Sequence, residues 1–130
     1  AQILEKGGYA FLDYQSKNHL KDLTVLQQVP LLFIVGVYND VVTKGIWVKV
    51  GKLELRPDLK VQPMQYIQDP LRPSYFELYN PNNGEITPCE KEECKGLECA
   101  AIWEAVHVES RIRDYYNGVS NVWVEQMRIK

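Results

Sequence analysis

Hydrophobic and polar positions alternate along most of the chain with the two-residue period of β-strands. This alternation is clear in YAFLDY, IWVKV, YFELY, LECAAIW and the C-terminal VWVEQMRI. PLLFIVGVY is instead apolar at almost every position from Leu31 to Tyr38, which is typical of a strand covered on both faces. The pattern predicts a mainly antiparallel β-sheet that is strongly twisted or barrel-like.

Turn signals separate these segments. AQIL, the sequence Lys6-Gly7-Gly8 and YAFLDY together predict a hairpin, because glycine supplies the positive φ of a tight turn. Residues 15–28 are polar with scattered leucines and fit a loop or a short helix. A loop is predicted from Asn39 to Gly45, and NPNNG predicts a turn after which EIT pairs back.

One segment near the C-terminus, WEAVHVESRIRDYYNG, has helical periodicity instead. Val108, Ile112 and Tyr115 recur at i, i+4 and i+7, which places them on one stripe of an α-helix. Gly118 follows as a normal helix stop. We predict one amphipathic helix at about 105–117, docked by this stripe, before a last strand; the fold class is therefore α+β.

The charged residues of this helix are explained by its solvent side. Glu109 and Arg113 lie four residues apart, and Arg111 and Asp114 lie three apart, so each pair is expected to interact on the surface. Charge patterns of this kind are common on exposed helices and require no active site.

Length and charge narrow the class of protein. The 130 residues predict a single domain, 1–130. Fifteen Lys and Arg against seventeen Asp and Glu give a net charge of −2, which argues against a nucleic-acid partner held by general electrostatics. The longest apolar run is too short to span a bilayer, so no membrane is expected as a partner.

Three cysteines, Cys89, Cys94 and Cys99, bear on both compartment and metal binding. Their odd number fits a reducing cytoplasm better than a disulfide framework. Their C-x4-C-x4-C spacing departs from that of structural zinc sites, and only His19 and His107 supply imidazole. A cysteine nucleophile would need its thiolate beside one of these histidines. We expect no metal and no cofactor.

Two motifs come close to known chemistry. His107-Val108-Glu109 is an H-x-E, but zinc deaminases need a downstream P-C-x-x-C, and no cysteine follows Glu109. GIWVKVGKL resembles part of a phosphate loop, yet Leu53 stands where Ser or Thr must bind magnesium. The sequence therefore predicts no catalytic residues.

Polar strand faces that carry aromatic side chains suggest a binding surface instead. Tyrosine and tryptophan often anchor protein interfaces because they bury a large area at low entropic cost. The candidate partner-binding residues are these aromatic residues and an acidic rim: Asp13, Asp40, Trp47, Asp69, Tyr75, Glu77 and Tyr79.

The order of several phrases along the chain resembles the bacterial immunity protein 26 family. The phrases are YAFLDY, LLFIVGVYNDVVTKGIWVKVGKLEL, IQDPLRPSYFELY and CKGLECAAIWEAVHVESRIRDYYNGVSNVWVE. Members of the family usually begin with a further strand region ahead of YAFLDY. From this resemblance we expect the domain to lack part of that N-terminal region.

The resemblance implies a non-enzymatic antitoxin that binds and neutralises a cognate polymorphic toxin in the bacterial cytoplasm. Some similar sequences carry a phosphotriesterase label, so the alternative is a small metal-dependent hydrolase acting on phosphotriesters. A third hypothesis is a structural or regulatory module with an unrelated partner.

Overall fold

The computed structural model describes residues 1–18 and 20–130; His19, considered above as a metal ligand, lies outside them. In chain order the strands are β1 Gln2–Ile3, β2 Gly8–Leu12, β3 Leu31–Val37, β4 Gln65–Gln68, β5 Phe76–Tyr79, β6 Ile86–Cys89, β7 Glu98–Cys99 and β8 Ile102–Trp103. The α-helices are α1 Asp40–Thr43, α2 Lys91–Cys94, α3 Ala105–Asn117 and α4 Val122–Gln126. Two short 3-10 helices span Leu23–Gln28 and Pro57–Leu59.

The described strands form two four-stranded sheets. The first sheet has the order β1-β2-β3-β8 and the second the order β6-β5-β4-β7. Pairing is antiparallel within β1-β2-β3 and within β4-β5-β6, whereas β8 and β7 add to the sheets in parallel. The α+β class is confirmed. The barrel-like closure is wrong for the described residues, since both sheets are open and mixed.

Several predicted elements are present. The β1–β2 hairpin turns through Gly7, whose φ of 87° belongs to the left-handed region that glycine adopts without strain. The predicted strand in PLLFIVGVY is β3, and the turn NPNNG joins β5 to β6. The 3-10 helix Leu23–Gln28 lies at the end of segment 15–28, which was expected to be a loop or a short helix.

The segment LECAAIW forms two strands and not the single strand that its alternation predicts. Glu98 and Cys99 pair with β4 in the second sheet, and Ile102 and Trp103 pair with β3 in the first sheet. Residues 100–101 carry the chain from one sheet to the other. The alternating pattern is preserved across this step, so the sequence does not reveal it.

The first sheet is covered on both faces. On one face Tyr9, Phe11, Phe33, Val35 and Val37 pack with Trp103 and helix α3. On the opposite face a smaller cluster brings together Leu4, Ala10, Ile34 and Leu59. This double coverage explains why β3 is apolar at consecutive positions.

The second sheet has an apolar cluster on one face. Tyr66, Phe76 and Cys94 are buried there, and Leu78, Leu97 and Ile129 are among the residues packed against them. No helix among the described residues has the length and apolar character required to cross a membrane.

Helix α3 occupies the predicted range and ends at Gly118, which is left-handed at φ 69°. Val108 is fully buried and Ile112 packs against the same cluster, as predicted. Tyr115 was wrongly assigned to the docking stripe: it is 54% exposed. Tyr116 turns inward instead, and its hydroxyl donates to Asp13 Oδ1 at 2.8 Å.

The predicted surface pair of Arg111 and Asp114 is also wrong. Arg111 donates to both carboxylate oxygens of Glu98 at 2.9 Å, and its side chain is only 14% exposed. Its guanidinium lies 3.7 Å from the ring centroid of Phe33 and 5.2 Å from that of Trp103. One side chain therefore ties helix α3 to both sheets.

The last predicted strand is a helix. Asn121, which is buried, caps α4 by accepting from the backbone N–H groups of Trp123 and Val124. Its own side-chain amide donates to Asp114 and Ser110, which fixes the cap on α3. This tertiary cap overrides the strand propensity of VWV, because it satisfies N–H groups that the helix leaves free.

The predicted strand IWVKV is unpaired. Ile46, Val48 and Val50, which share one side of the alternation, are 48%, 69% and 51% exposed. Trp47 turns inward to lie edge-on against Tyr9 and Phe11. The side chains of IWVKV do alternate between two sides, but the side that carries the large Trp47 ring is the one that faces the core.

We expect Arg111→Lys to lower the free energy of unfolding by about 2 kcal/mol, because lysine cannot form the two-pronged contact with a carboxylate or stack flat on the rings. Urea unfolding followed by tryptophan fluorescence measures this change. The matched control is Arg113→Lys on the exposed side of the same helix, which should stay within about 0.5 kcal/mol of the parent protein. Equal effects of the two substitutions would contradict a structural role for the Arg111 junction.

Candidate functional site

The seven candidate partner-binding residues fall into two separate groups. Asp13, Asp40 and Trp47 lie around the first sheet and already have internal partners. Asp13 accepts from Tyr116, and the Trp47 indole N–H donates to Glu109 Oε1 at 3.2 Å. Asp40 opens the short helix α1, 3.9 Å from the Lys44 ammonium.

The second group lies along the β4–β5 hairpin and strand β5. Asp69 ends the hairpin strand by accepting from the N–H groups of Leu71 and Arg72. These bonds lower the pKa of the Asp69 carboxyl, the contact to Leu71 contributing most, so the group is ionised at neutral pH. The Arg72 guanidinium lies 4.5 Å from the ring centroid of Tyr75, so the tip of this hairpin carries both charges and an aromatic ring.

Strand register places Glu77 and Tyr79 on a single face of the second sheet. Tyr79 is paired with Gln65 in β4 and with Ile86 in β6, and Glu77 is paired with Ile67. Directly paired residues project to the same side of a sheet. We call this side the open face; it consists of Gln65, Ile67, Glu77, Tyr79 and Ile86, and lies opposite the cluster around Phe76.

A cleft of about 410 Å³ adjoins the open face. Gln65, Ile67, Tyr79 and Ile86 line its second-sheet side, and the step between the sheets, at Ala101 and Ile102, lines the other. Gln62, Gly36 and the turn at Lys6-Gly7-Gly8 also contribute to its lining. The cleft therefore lies where the two sheets meet.

The H-x-E motif does not assemble into a site. His107 stacks on Trp123, with ring centroids 3.7 Å apart and planes 22° apart. Glu109 is directed to Trp47 instead. Residues two apart on a helix point to different sides, which explains the separation.

The cysteines cluster in the second-sheet core as free thiols. The sulfur atoms of Cys89 and Cys94 are 3.5 Å apart, and Cys99 packs in the same cluster. Burial raises the pKa of Cys89 to about 12 and raises that of Cys99. Because the thiolate is the nucleophile, these two thiols are poorly reactive at neutral pH. Among residues 1–18 and 20–130, no three His, Cys, Asp or Glu side chains are grouped to hold a metal ion.

Sequence reasoning missed Gln62 and Gln65, the buried polar residues of the cleft. Both follow Pro57 in a proline-punctuated stretch where no strand was predicted. The alternation of Gln65, Tyr66 and Ile67 is the one signal that could have indicated β4, and it is too short to be distinctive. That these glutamines meet Ala101 and Ile102 depends on pairing between distant segments.

Comparison with known proteins gives one finding. Residues 3–77, more than half of the chain, match the family model described as immunity protein 26. The matched range runs from the end of β1 through β4 to the start of β5. Neither the comparison with curated proteins nor that with solved structures found a match.

Tyr66 yields a pH prediction for the second-sheet core. It is 4% exposed and its hydroxyl donates to the backbone carbonyl of Met127. Burial, the largest cause, raises its pKa to about 12, above the unfolded value of about 10. Its contribution to stability is therefore fully present below pH 10 and is lost as the pH rises towards 12.

We expect the urea midpoint to fall between pH 9 and pH 11.5, and to fall less steeply in Tyr66→Phe, which has no phenol to ionise. Tyr14→Phe, at an exposed position, is the matched control and should keep the parent slope. An unchanged slope in Tyr66→Phe would contradict the assignment.

Proposed function

We propose that this chain, which belongs to the immunity protein 26 family, neutralises a cognate bacterial toxin by binding it directly. Membership of the family implies toxin neutralisation, and immunity proteins of this kind are typically not enzymes. The family match over residues 3–77 is the observation that carries the proposal. Direct binding and the location of the binding surface are our additions to it.

We place the centre of the toxin footprint on the open face and the adjoining hairpin tip. Tyr75, Glu77 and Tyr79 are half-buried, so each ring or carboxylate is anchored in the sheet and still presents accessible surface. Ile86 at the edge is 52% exposed and adds apolar area beside Tyr79. Anchored aromatic and apolar groups ringed by charge are typical of interface centres.

The charged residues of the proposed footprint suggest which kind of toxin surface it binds. Asp69 and Glu77 lie in this region, and Arg72 is already engaged with Asp69 at 3.2 Å and with Tyr75. The remaining acidic character favours a basic patch on the toxin, which would also speed association. Asp13, Asp40 and Trp47 belong to the first-sheet side, and we leave them outside the proposed centre for that reason.

The function as a whole is tested with a candidate toxin taken from the genes next to this one. Co-expression of that toxin with the chain should restore growth, and the purified proteins should elute together from a size-exclusion column. Growth arrest despite soluble chain, with the two proteins eluting separately, would end the proposal.

Substitutions on the open face test the footprint. We expect Tyr79→Ala and Glu77→Lys each to weaken toxin binding by about 30-fold or more, the size of a hot-spot loss of about 2 kcal/mol. Isothermal titration calorimetry measures the change, and unfolding midpoints verify that the variants remain folded.

Tyr115→Ala is the matched control, since this tyrosine is 54% exposed but lies on helix α3, away from the open face. It should bind the toxin as the parent protein does. If Tyr115→Ala weakens binding while both open-face variants bind normally, the footprint is on the helix side and our placement is wrong.

A further inference from the structure

The cleft between the sheets contains two buried side-chain amide groups that have no hydrogen-bond partner among residues 1–18 and 20–130. Gln62 is 6% exposed and Gln65 is 9% exposed. The hydrogen bonds of Gln62 are made by its backbone, to the side chain of Asn82, and within the described residues neither glutamine uses its side-chain amide. Buried amides are normally hydrogen-bonded, because leaving one unpaired costs about 1–3 kcal/mol.

The side-chain amides of Gln62 and Gln65 remain slightly accessible to solvent through the cleft. Among the described residues, every side-chain nitrogen or oxygen that is completely enclosed has a hydrogen-bond partner. The amide atoms of the two glutamines have no such partner there, so they must retain some solvent-accessible area. Both residues line the cleft. An occupant of the cleft can therefore reach amide atoms that the described part of the chain leaves unpaired.

Glycine makes room for one of the amides. A Cβ atom at position 8 would lie 2.5 Å from Gln62 Oε1, so the amide occupies space that only a glycine leaves free. Gly8 is buried in strand β2, paired with Gly36, which also lines the cleft. The backbone of the first sheet thus forms a close-fitting wall behind Gln62.

The rim of the cleft is apolar on both sides. Ile86 of β6 is 52% exposed and Ile102 of β8 is 59% exposed, and they belong to opposite sheets. Lys6 is the charged residue that lines the cleft; it lies on the exposed turn. An uncharged occupant fits this lining best, because a buried charge without an opposite charge is strongly penalised.

We propose that the cleft binds an extended, uncharged peptide segment of the toxin by amide-to-amide hydrogen bonds with Gln62 and Gln65. Each glutamine amide has both donors and an acceptor, which is the complement of a peptide N–H and C=O. The volume of about 410 Å³ suits a short segment, since ligand clefts range over about 300–1,000 Å³. That the peptide segment belongs to the toxin rests on the proposed function. The recognition of a peptide by the two glutamine amides does not.

A minimal peptide tests the amide recognition without any toxin. The probe is N-acetyl-leucine methylamide, titrated into the nitrogen-15-labelled chain and followed by NMR. We expect saturable shifts of the side-chain NH2 signals of Gln62 and Gln65, whereas the signal of the exposed Gln126 stays unchanged. The ester analogue, in which oxygen replaces both probe N–H groups, should bind at least about fivefold more weakly, as expected from the loss of one hydrogen bond.

Two substitutions test the site itself. Gln65→Met retains the length of the side chain without its amide, and we expect it to weaken probe binding by about fivefold. Gly8→Ala should displace the Gln62 amide and weaken binding by a similar factor. Gln126→Met is the matched control and should leave probe affinity unchanged; urea unfolding establishes that each variant is folded.

The outcomes separate the two proposals. Absence of saturable shifts in the parent protein, or equal binding of amide and ester, overturns the cleft inference even if the toxin is neutralised. If the probe binds but Gln65→Met and Gly8→Ala bind the toxin normally, the toxin segment is not the occupant and the inference is again wrong. If the parent chain fails to rescue growth, the proposed function falls, and probe binding then supports amide recognition alone.

Discussion

The two sheets and the long helix meet at one guanidinium group, and the arrangement of the molecule depends on it. Arg111 forms a two-pronged ion pair with Glu98 of the second sheet and stacks on Phe33 and Trp103 of the first. Planar stacking and fork-like hydrogen bonding are both properties of arginine that lysine lacks. A polar pair that also carries aromatic contacts specifies a single geometry, whereas apolar packing alone tolerates sliding.

This junction matters because the backbone connection between the sheets is slight. Strands β7 and β8 contain two residues each, and residues 100–101 alone separate them. Such short parallel pairings contribute few hydrogen bonds, so we infer that side-chain contacts hold the sheets at their relative position. The cleft beside residues 100–101 is a direct consequence, because it is bounded by both sheets at the place where the chain steps between them.

As a consequence, the two sheets have different roles: the first forms the core and the second presents an accessible face. The first sheet is covered on both faces and forms the largest buried cluster. The second sheet packs one face against its cysteine-containing cluster and presents Ile67, Glu77 and Tyr79 on the other. A rigid sheet that displays half-buried side chains is well suited to recognising another protein, since little conformational entropy is lost on binding.

Local patterns in the sequence determined much of this protein by themselves. The hairpin at Gly7, the doubly covered strand β3 and the range of helix α3 follow from glycine φ angles and from residue periodicity, both of which act over a few neighbouring residues. The resemblance to immunity protein 26 likewise lies in the order of residues along the chain, and the family match over residues 3–77 confirms it.

Only the tertiary structure decided the features that depend on distant partners. The segment after Asn121 is a helix and not a strand because Asn121 caps it and is itself held by Asp114. Trp47 faces the core because its ring packs against those of Tyr9 and Phe11. The buried Arg111 has no local signature, and neither do the Gln62 and Gln65 amides, which are unpaired within the described residues. Periodicity reports which side of an element is apolar, but burial, charge pairing and clefts are set by segments far apart in the chain, whose meeting no local pattern encodes.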